Sequence, residues 1–218
     1  MRVKVGVRAV AAVTLAAVLG GCAGQDATSG PRPGGAKAGA GTGTKDPAVV
    51  SGATIGAAGS PCALPVRFDI AEDWTAESVD ARGAQDDEPG AALLRQGPVT
   101  AACEIDAKPA GHIGFLRVWT GRAGDADAHG VLRGFVAAQG HVGKERYRAF
   151  TTGGGLRGAE VEYTSTSELL DEAKRECAFA VNTPGGPVVV HLGGLDSAEH
   201  DAMLPAYELA KRTLKVAG

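Results

Sequence analysis

Beyond its first twenty residues the chain has no second long apolar run, and about twenty consecutive apolar residues are needed to cross a bilayer as a helix. No basic stripe is present either. The 22 Lys and Arg are scattered among 25 Asp and Glu, and aromatics make up only 5%, so the footprint of a nucleic-acid binder is missing. No two Cys or His stand at the close spacing that a zinc or dithiol redox site requires, and the five His are dispersed. Gly-x-Ser-x-Gly is absent, which removes the usual serine-hydrolase elbow. Gly140-His141-Val142-Gly143-Lys144-Glu145 has the wrong spacing for a phosphate loop and sets Glu145 where a magnesium-binding hydroxyl belongs. The acids Asp69, Glu72 and Asp73, and Glu104 with Asp106, read as solvated carboxylates rather than a glycosidase pair. These absences assign no catalytic residue, metal or cofactor, and the domain is expected not to be an enzyme.

The first residues are informative. Arg2, Lys4 and Arg8 form a positive segment, and Ala9 to Leu19 form an apolar run of secretory-leader length, too short to span a membrane. Leu19-Gly20-Gly21-Cys22 follows: an aliphatic residue, two small ones and a cysteine. It resembles the lipobox of bacterial lipoproteins. Small residues let extended backbone enter a peptidase cleft, and the Cys22 thiol is the nucleophile that takes a thioether-linked diacylglycerol. Residues 1–21 are therefore read as a signal peptide and Cys22 as the lipidation site. Each buried methylene contributes about 0.8 kcal/mol, so two or more chains, unlike one, hold a protein firmly at a membrane. The expected location is the extracytoplasmic face of the cell membrane. Removing the leader takes three basic residues from a net charge of −3 and leaves −6.

Glycine, at 33 residues, is concentrated after Cys22. Residues 22–59 are dominated by Gly, Ala, Ser, Thr and Pro, with stretches such as Gly30-Pro31-Arg32-Pro33-Gly34-Gly35. They bury too little to offset chain entropy and read as a flexible linker. A spacer of about 36 residues has a root-mean-square reach of roughly 30 to 36 Å.

Residues 60–218 read as a single α+β domain, an antiparallel sheet flanked by two helices. Leu64 to Ile70 alternates apolar and polar, Trp74 opens a second short strand, and Thr100–Ala107 and His112–Thr120 follow. Asp125 to Gln139 carries Ala128, Leu132, Phe135 and Gln139 at helical spacing and stops at Gly140. Strands are expected at about 144–152, 157–165, 174–182 and 187–193, with the glycine turns between them favouring hairpins. Asp196-Ser197-Ala198-Glu199 has the form of a capping box with Asp as the cap. It opens a helix bearing Met203, Tyr207, Ala210 and Leu214, which Pro205 is expected to kink or interrupt.

Leu64-Pro65-Val66-Arg67-Phe68-Asp69-Ile70 with Trp74, and the closing helix after Gly193-Gly194-Leu195-Asp196, carry a resemblance to the PsbP-like fold. More specifically the chain resembles actinobacterial lipoproteins of the LpqN type, over about residues 60–217. The resemblance implies the fold and a non-catalytic binding or accessory role, and brings no catalytic residues with it.

Of Cys62, Cys103 and Cys177, one must stay unpaired if a bridge forms. Cys62–Cys103 is favoured because it would staple the edge of the domain to the sheet, with Cys177 as a buried thiol. Cys103–Cys177 and no bridge remain open. Trp74, Trp119 and Tyr147 are the candidate binding-face aromatics, with core packing as the competing explanation. His191 reads as a half-buried, satisfied imidazole and His200 as a surface residue. The leading expectation is a membrane-tethered domain that binds an envelope protein or other envelope component. The alternatives are a carrier or sensor of a small hydrophobic ligand, held between the sheet and the first helix, and, last, a hydrolytic enzyme. Replacing Cys22 with Ala should release the protein from the membrane or block its processing; retention at the membrane without labelled fatty acid in the product would remove the anchor.

Overall fold

The structure, a computed structural model, describes residues 49–81, 91–167 and 172–218. Cys22, the expected leader and most of the expected linker lie outside the described residues. Thr44–Gly218 forms one unit. Its strands are β1 (Ser51–Ile55), β2 (Val66–Ala71), β3 (Thr75–Ser78), β4 (Arg95–Gln96), β5 (Val99–Asp106) and β6 (Gly114–Thr120). Helix α1 (Ala128–Ala137) precedes β7 (Val142–Thr151), β8 (Arg157–Ser167), β9 (Glu172–Thr183) and β10 (Gly186–Gly194). Helix α2 (Ser197–Thr213) and β11 (Lys215–Val216) close the chain.

Among the described residues eight strands form one sheet in the order β3-β5-β6-β10-β9-β8-β7, with β4 also paired to β5. Its strand pairs are antiparallel. A small sheet, β1-β2-β11, stands apart. The α+β architecture with two helices is thus as the sequence predicts. Helix α1 packs on one face against β8, β9 and β10, while α2 packs on the other against β10, β9 and β6, and against β2 of the small sheet. Alternation along each strand sends side chains to two cores. Val131, Leu132 and Phe135 meet Trp119, Val161, Ala178, Ala180 and Val189 on the α1 side. Cys177, Phe179, Val188, Val190 and Leu192 meet Met203, Tyr207 and Phe68 on the α2 side.

Both helices begin at side-chain caps. Asp127 accepts from the Gly130 amide at 2.7 Å, and Asp196 accepts from the amides of Ala198 and Glu199 at 2.8 and 2.9 Å. Gly134 faces the turn before β5: a Cβ on Gly97 would come within 2.4 Å of the Gly134 carbonyl oxygen, so the turn and the helix approach backbone to backbone. That close approach is possible because neither Gly97 nor Gly134 carries a Cβ. Helix α2 continues from Ser197 to Thr213 with Pro205 inside it, so the proline does not end a first short piece. The lost hydrogen bond and clash cost about 3 kcal/mol, offset by burial of Met203, Ala206, Tyr207, Leu209 and Ala210 along one stripe.

The expected boundary at residue 60 is corrected. Ser51–Ile55, inside the expected linker, is a strand paired with β2. Its side chains are exposed except Ile55, so backbone hydrogen bonds rather than apolar burial hold it, and composition gave no sign of it.

Cys62 and Cys103 form a disulfide with Cα atoms 5.8 Å apart, and Cys177 is a buried free thiol. The bridge ties the segment between the small-sheet strands to β5 of the large sheet. Closing a loop across 41 positions stabilises the fold by about 4 kcal/mol on the chain-entropy model. Replacing Cys62 and Cys103 together with Ala should therefore lower the unfolding free energy by about 2 to 5 kcal/mol in urea titration. Non-reduced peptide maps should show Cys62 linked to Cys103, and a peptide joining Cys177 to either would sink the assignment.

Candidate functional site

The candidate site is a cleft on the α1 side of the large sheet, beyond the C-terminal end of α1. It encloses about 390 Å³ and is lined by residues of β4, β6, β9 and β10, the loop before β6 and the turn after β10. Its rim is apolar: Ile113, Phe115 and Leu195 are 57%, 37% and 62% exposed. Backbone bonds hold them there. The Leu195 amide donates to the Ile113 carbonyl at 2.9 Å, and the Ile113 amide donates to the Glu199 carboxylate at 3.2 Å. Glu199 thus ties the Ile113 loop to the first turn of α2.

The floor is polar. Strand alternation puts Phe115, Arg117 and Trp119 on one face of β6, with the Arg117 guanidinium 5.7 and 5.9 Å from the two ring centroids. Arg117 also donates from Nε to Glu104 at 2.9 Å, directly across on β5. Next to it on β10 is His191. Its Nε2 lies 3.0 Å from Glu176 Oε2 and 3.2 Å from the Tyr163 hydroxyl. Gln139, just past α1, donates to the same Glu176 oxygen at 2.6 Å and accepts from Tyr163 at 2.6 Å. Lys174 Nζ lies 3.2 Å from the other Glu176 oxygen and donates to the Gly194 carbonyl at 2.9 Å.

Glu176, 3% exposed, is the hub. A carboxylate only accepts, so Nε2 of His191 must carry a proton to bond to it. Burial pushes the Glu176 carboxyl up, but His191, Gln139 and Lys174 outweigh it and hold its pKa well below the ordinary 4.5. Burial and the Glu176 charge push the Tyr163 phenol well above its usual value. A carboxylate saturated with donors and so depressed is a weak base. The arrangement holds a rigid polar floor better than it abstracts protons. Among the described residues no group of three or more His, Cys, Asp and Glu is placed to hold a metal ion. No helix among them is long and apolar enough to cross a membrane.

The three candidate aromatics are not brought together. Trp74 is buried in the α2-side core and Trp119 in the α1-side core, because each lies on an inward face or turn under other elements. Trp119 still forms part of the cleft wall, and its indole N–H has no hydrogen-bond partner. Tyr147 is half-buried on the edge strand β7, donating to Glu145 at 2.6 Å, away from the cleft. His191 is satisfied and mostly buried, as read from the sequence. His200 is not a surface residue: it is 3% exposed, on the buried side of the first turn of α2. Sequence reasoning missed Phe115, Arg117, Lys174 and Glu176. The alternation of Phe115, Arg117 and Trp119 against Leu116 and Val118 was a usable signal.

A family model described as uncharacterised lipoprotein matches residues 32–214. The chain belongs to this lipoprotein family. Among solved structures it is similar to the solution structure of cyanobacterial PsbP from Synechocystis sp. PCC 6803, at 15% identity over 70% of this chain and 86% of that one, with a TM-score of 0.46. It is also similar to LpqN, involved in cell envelope biogenesis of Mycobacterium tuberculosis, at 14% identity over 76% and 90% of the two chains, with a TM-score of 0.41. No curated protein matches the chain.

The polar floor makes an acid-side prediction for this lipoprotein. A depressed native carboxyl contributes stability that is complete above the unfolded-state value, about pH 4.5, and is lost as pH falls toward the native one. Urea unfolding from pH 7 to 2.5 should show stability declining below about 4.5, with a shallower decline in Glu176→Gln. An identical acid slope in that variant would show that Glu176 is not linked to folding.

Proposed function

We propose that this is an envelope lipoprotein, held on the extracytoplasmic face by lipid on Cys22, whose domain binds an envelope component bearing an apolar group without transforming it. The observation that supports this best is the cleft. An apolar rim of Ile113, Phe115 and Leu195 stands over a floor whose polar groups are already paired with one another. A ligand's apolar part would gain from covering the rim, while the Arg117 and Lys174 cations at the floor suit a polar or anionic end. The family match supports the lipoprotein assignment, and the sequence of residues 19–22 supports Cys22 as its acceptor.

The carrier reading placed a hydrophobic molecule between the sheet and α1. That space holds the packed side chains of Val131, Leu132, Phe135, Val136, Val161 and Ala180, which disfavours an enclosed cargo there. Uptake at the open cleft is the better-supported geometry.

Octyl glucoside below its micelle threshold is a suitable amphipathic probe. Titrated into ¹⁵N-labelled protein, it should shift the amides of 113–117, 139 and 191–195 saturably, and Phe115→Asp should weaken that binding about tenfold, equivalent to about 1.4 kcal/mol. Shifts that are scattered over the surface, or unchanged in Phe115→Asp, would refute the cleft as the binding site.

A further inference from the structure

We propose that a second cavity, between the bulge in β7 and the start of α2, binds a phosphate monoester. It lies on the α2 side of the large sheet, opposite the cleft, and does not rest on the function proposed for the cleft. The cavity encloses about 460 Å³, and its wall includes Lys144 and Arg146 of β7, Arg175 of β9, and Ser197 and His200 of α2.

The first observation is how the cations come to share this wall. Gly143 lies opposite Thr164 and Arg146 opposite Glu162, so β7 spends one more residue than β8 between those pairs. A regular register would set Glu145 against Glu162. The extra residue turns Glu145 to the α1 side, where it accepts from Tyr147 at 2.6 Å, and brings Arg146 to the cavity instead. Lys144 holds the bulge at a φ of 56°, a left-handed conformation unfavourable for a lysine. Neither Lys144 nor Arg146 makes an ion pair among the described residues. Of the two acids on the wall, Glu162 already accepts from Arg148 at 2.6 Å and Glu176 is saturated on the other face. Arg175 pairs with Asp201. The wall is therefore cationic in excess.

The second observation is His200. It is 3% exposed, its Nδ1 lies 3.4 Å from Asp201 Oδ1, and its Nε2 has no hydrogen-bond partner. The carboxylate can only accept, so Nδ1 carries the proton and donates to Asp201, which leaves a lone pair at Nε2. Burial lowers the pKa of the imidazole and favours this neutral form. One Asp201 carboxylate thus orients both Arg175 and His200. Together these groups call for anionic oxygens and one O–H donor. A phosphate monoester monoanion has both; sulfate has only acceptors, which would face the His200 lone pair.

The test uses the full chain carrying Cys22→Ser, which lacks the lipid acceptor, at pH 6. Glycerol phosphate should shift the amides of 144, 146, 175, 197 and 200 saturably, and sulfate should bind at least tenfold more weakly. Sedimentation with phosphatidylcholine vesicles containing phosphatidic acid is the second arm. Binding of the soluble ester identifies a free phosphate ligand, whereas binding confined to those vesicles identifies a lipid headgroup; either supports the site, provided the Lys144→Ala, Arg146→Ala double variant loses it tenfold or more. Both residues are exposed, so that variant should keep its thermal midpoint, and Arg146→Lys should retain part of the binding. Saturable binding of neither probe, equal binding of sulfate, or binding indifferent to the double variant overturns the proposal.

Discussion

Coverage of the large sheet on both faces is the constraint from which the rest of the molecule follows. With α1 on one side and α2 on the other, β10 has no exposed position and β9 is buried from Glu176 to Val181. Any polar side chain they carry must find partners within the fold, because an unpaired buried charge costs several kcal/mol. Glu176 meets that demand with His191, Gln139 and Lys174 on the α1 side. Glu160, on neighbouring β8, meets it on the α2 side through Arg148 and Lys211, each at 2.8 Å. For Glu160, too, burial raises the carboxyl pKa while Lys211 and Arg148 outweigh it and leave it lowered. The cleft floor is thus a by-product of a layered core that contains acids.

Much of this was legible in the residue order, and the failures share a cause. Helical spacing located α1 and α2, and period-two alternation located the long strands, because burial of one face imprints itself directly on sequence. Glu160 and Glu162 occupy equivalent alternate positions of β8, and period-two alternation alone does not tell them apart. Only one faces solvent substantially, since α2 covers β8 at Glu160 and leaves Glu162 half open. His200 misled for the same reason: a first-turn position looks exposed until the neighbouring strand is placed against it. Strand β1 was invisible because its stability lies in main-chain pairing, which leaves almost no compositional trace.

The two proposed sites differ in how the chain builds them. The cleft relies on regular alternation along β6, with its rim fixed by loop backbone bonds and by Glu199. The cationic cavity relies on an irregularity, one extra residue in an edge strand, which sets which charges face α2. Such a bulge also discourages edge-to-edge association of sheets, so one device serves solubility and site construction together.

The disulfide sits at the entrance of the chain to the fold, between a strand with little side-chain burial and the two cores. Any pull arriving along the polypeptide from its N-terminal side would load the β1–β2 hydrogen bonds first, and they could part without disturbing either helix. At Cys62 the force would pass through a covalent link into β5 and so be shared by the whole large sheet. Mechanical yielding of this protein should accordingly be confined to a short extension, with both proposed sites left intact behind the bridge.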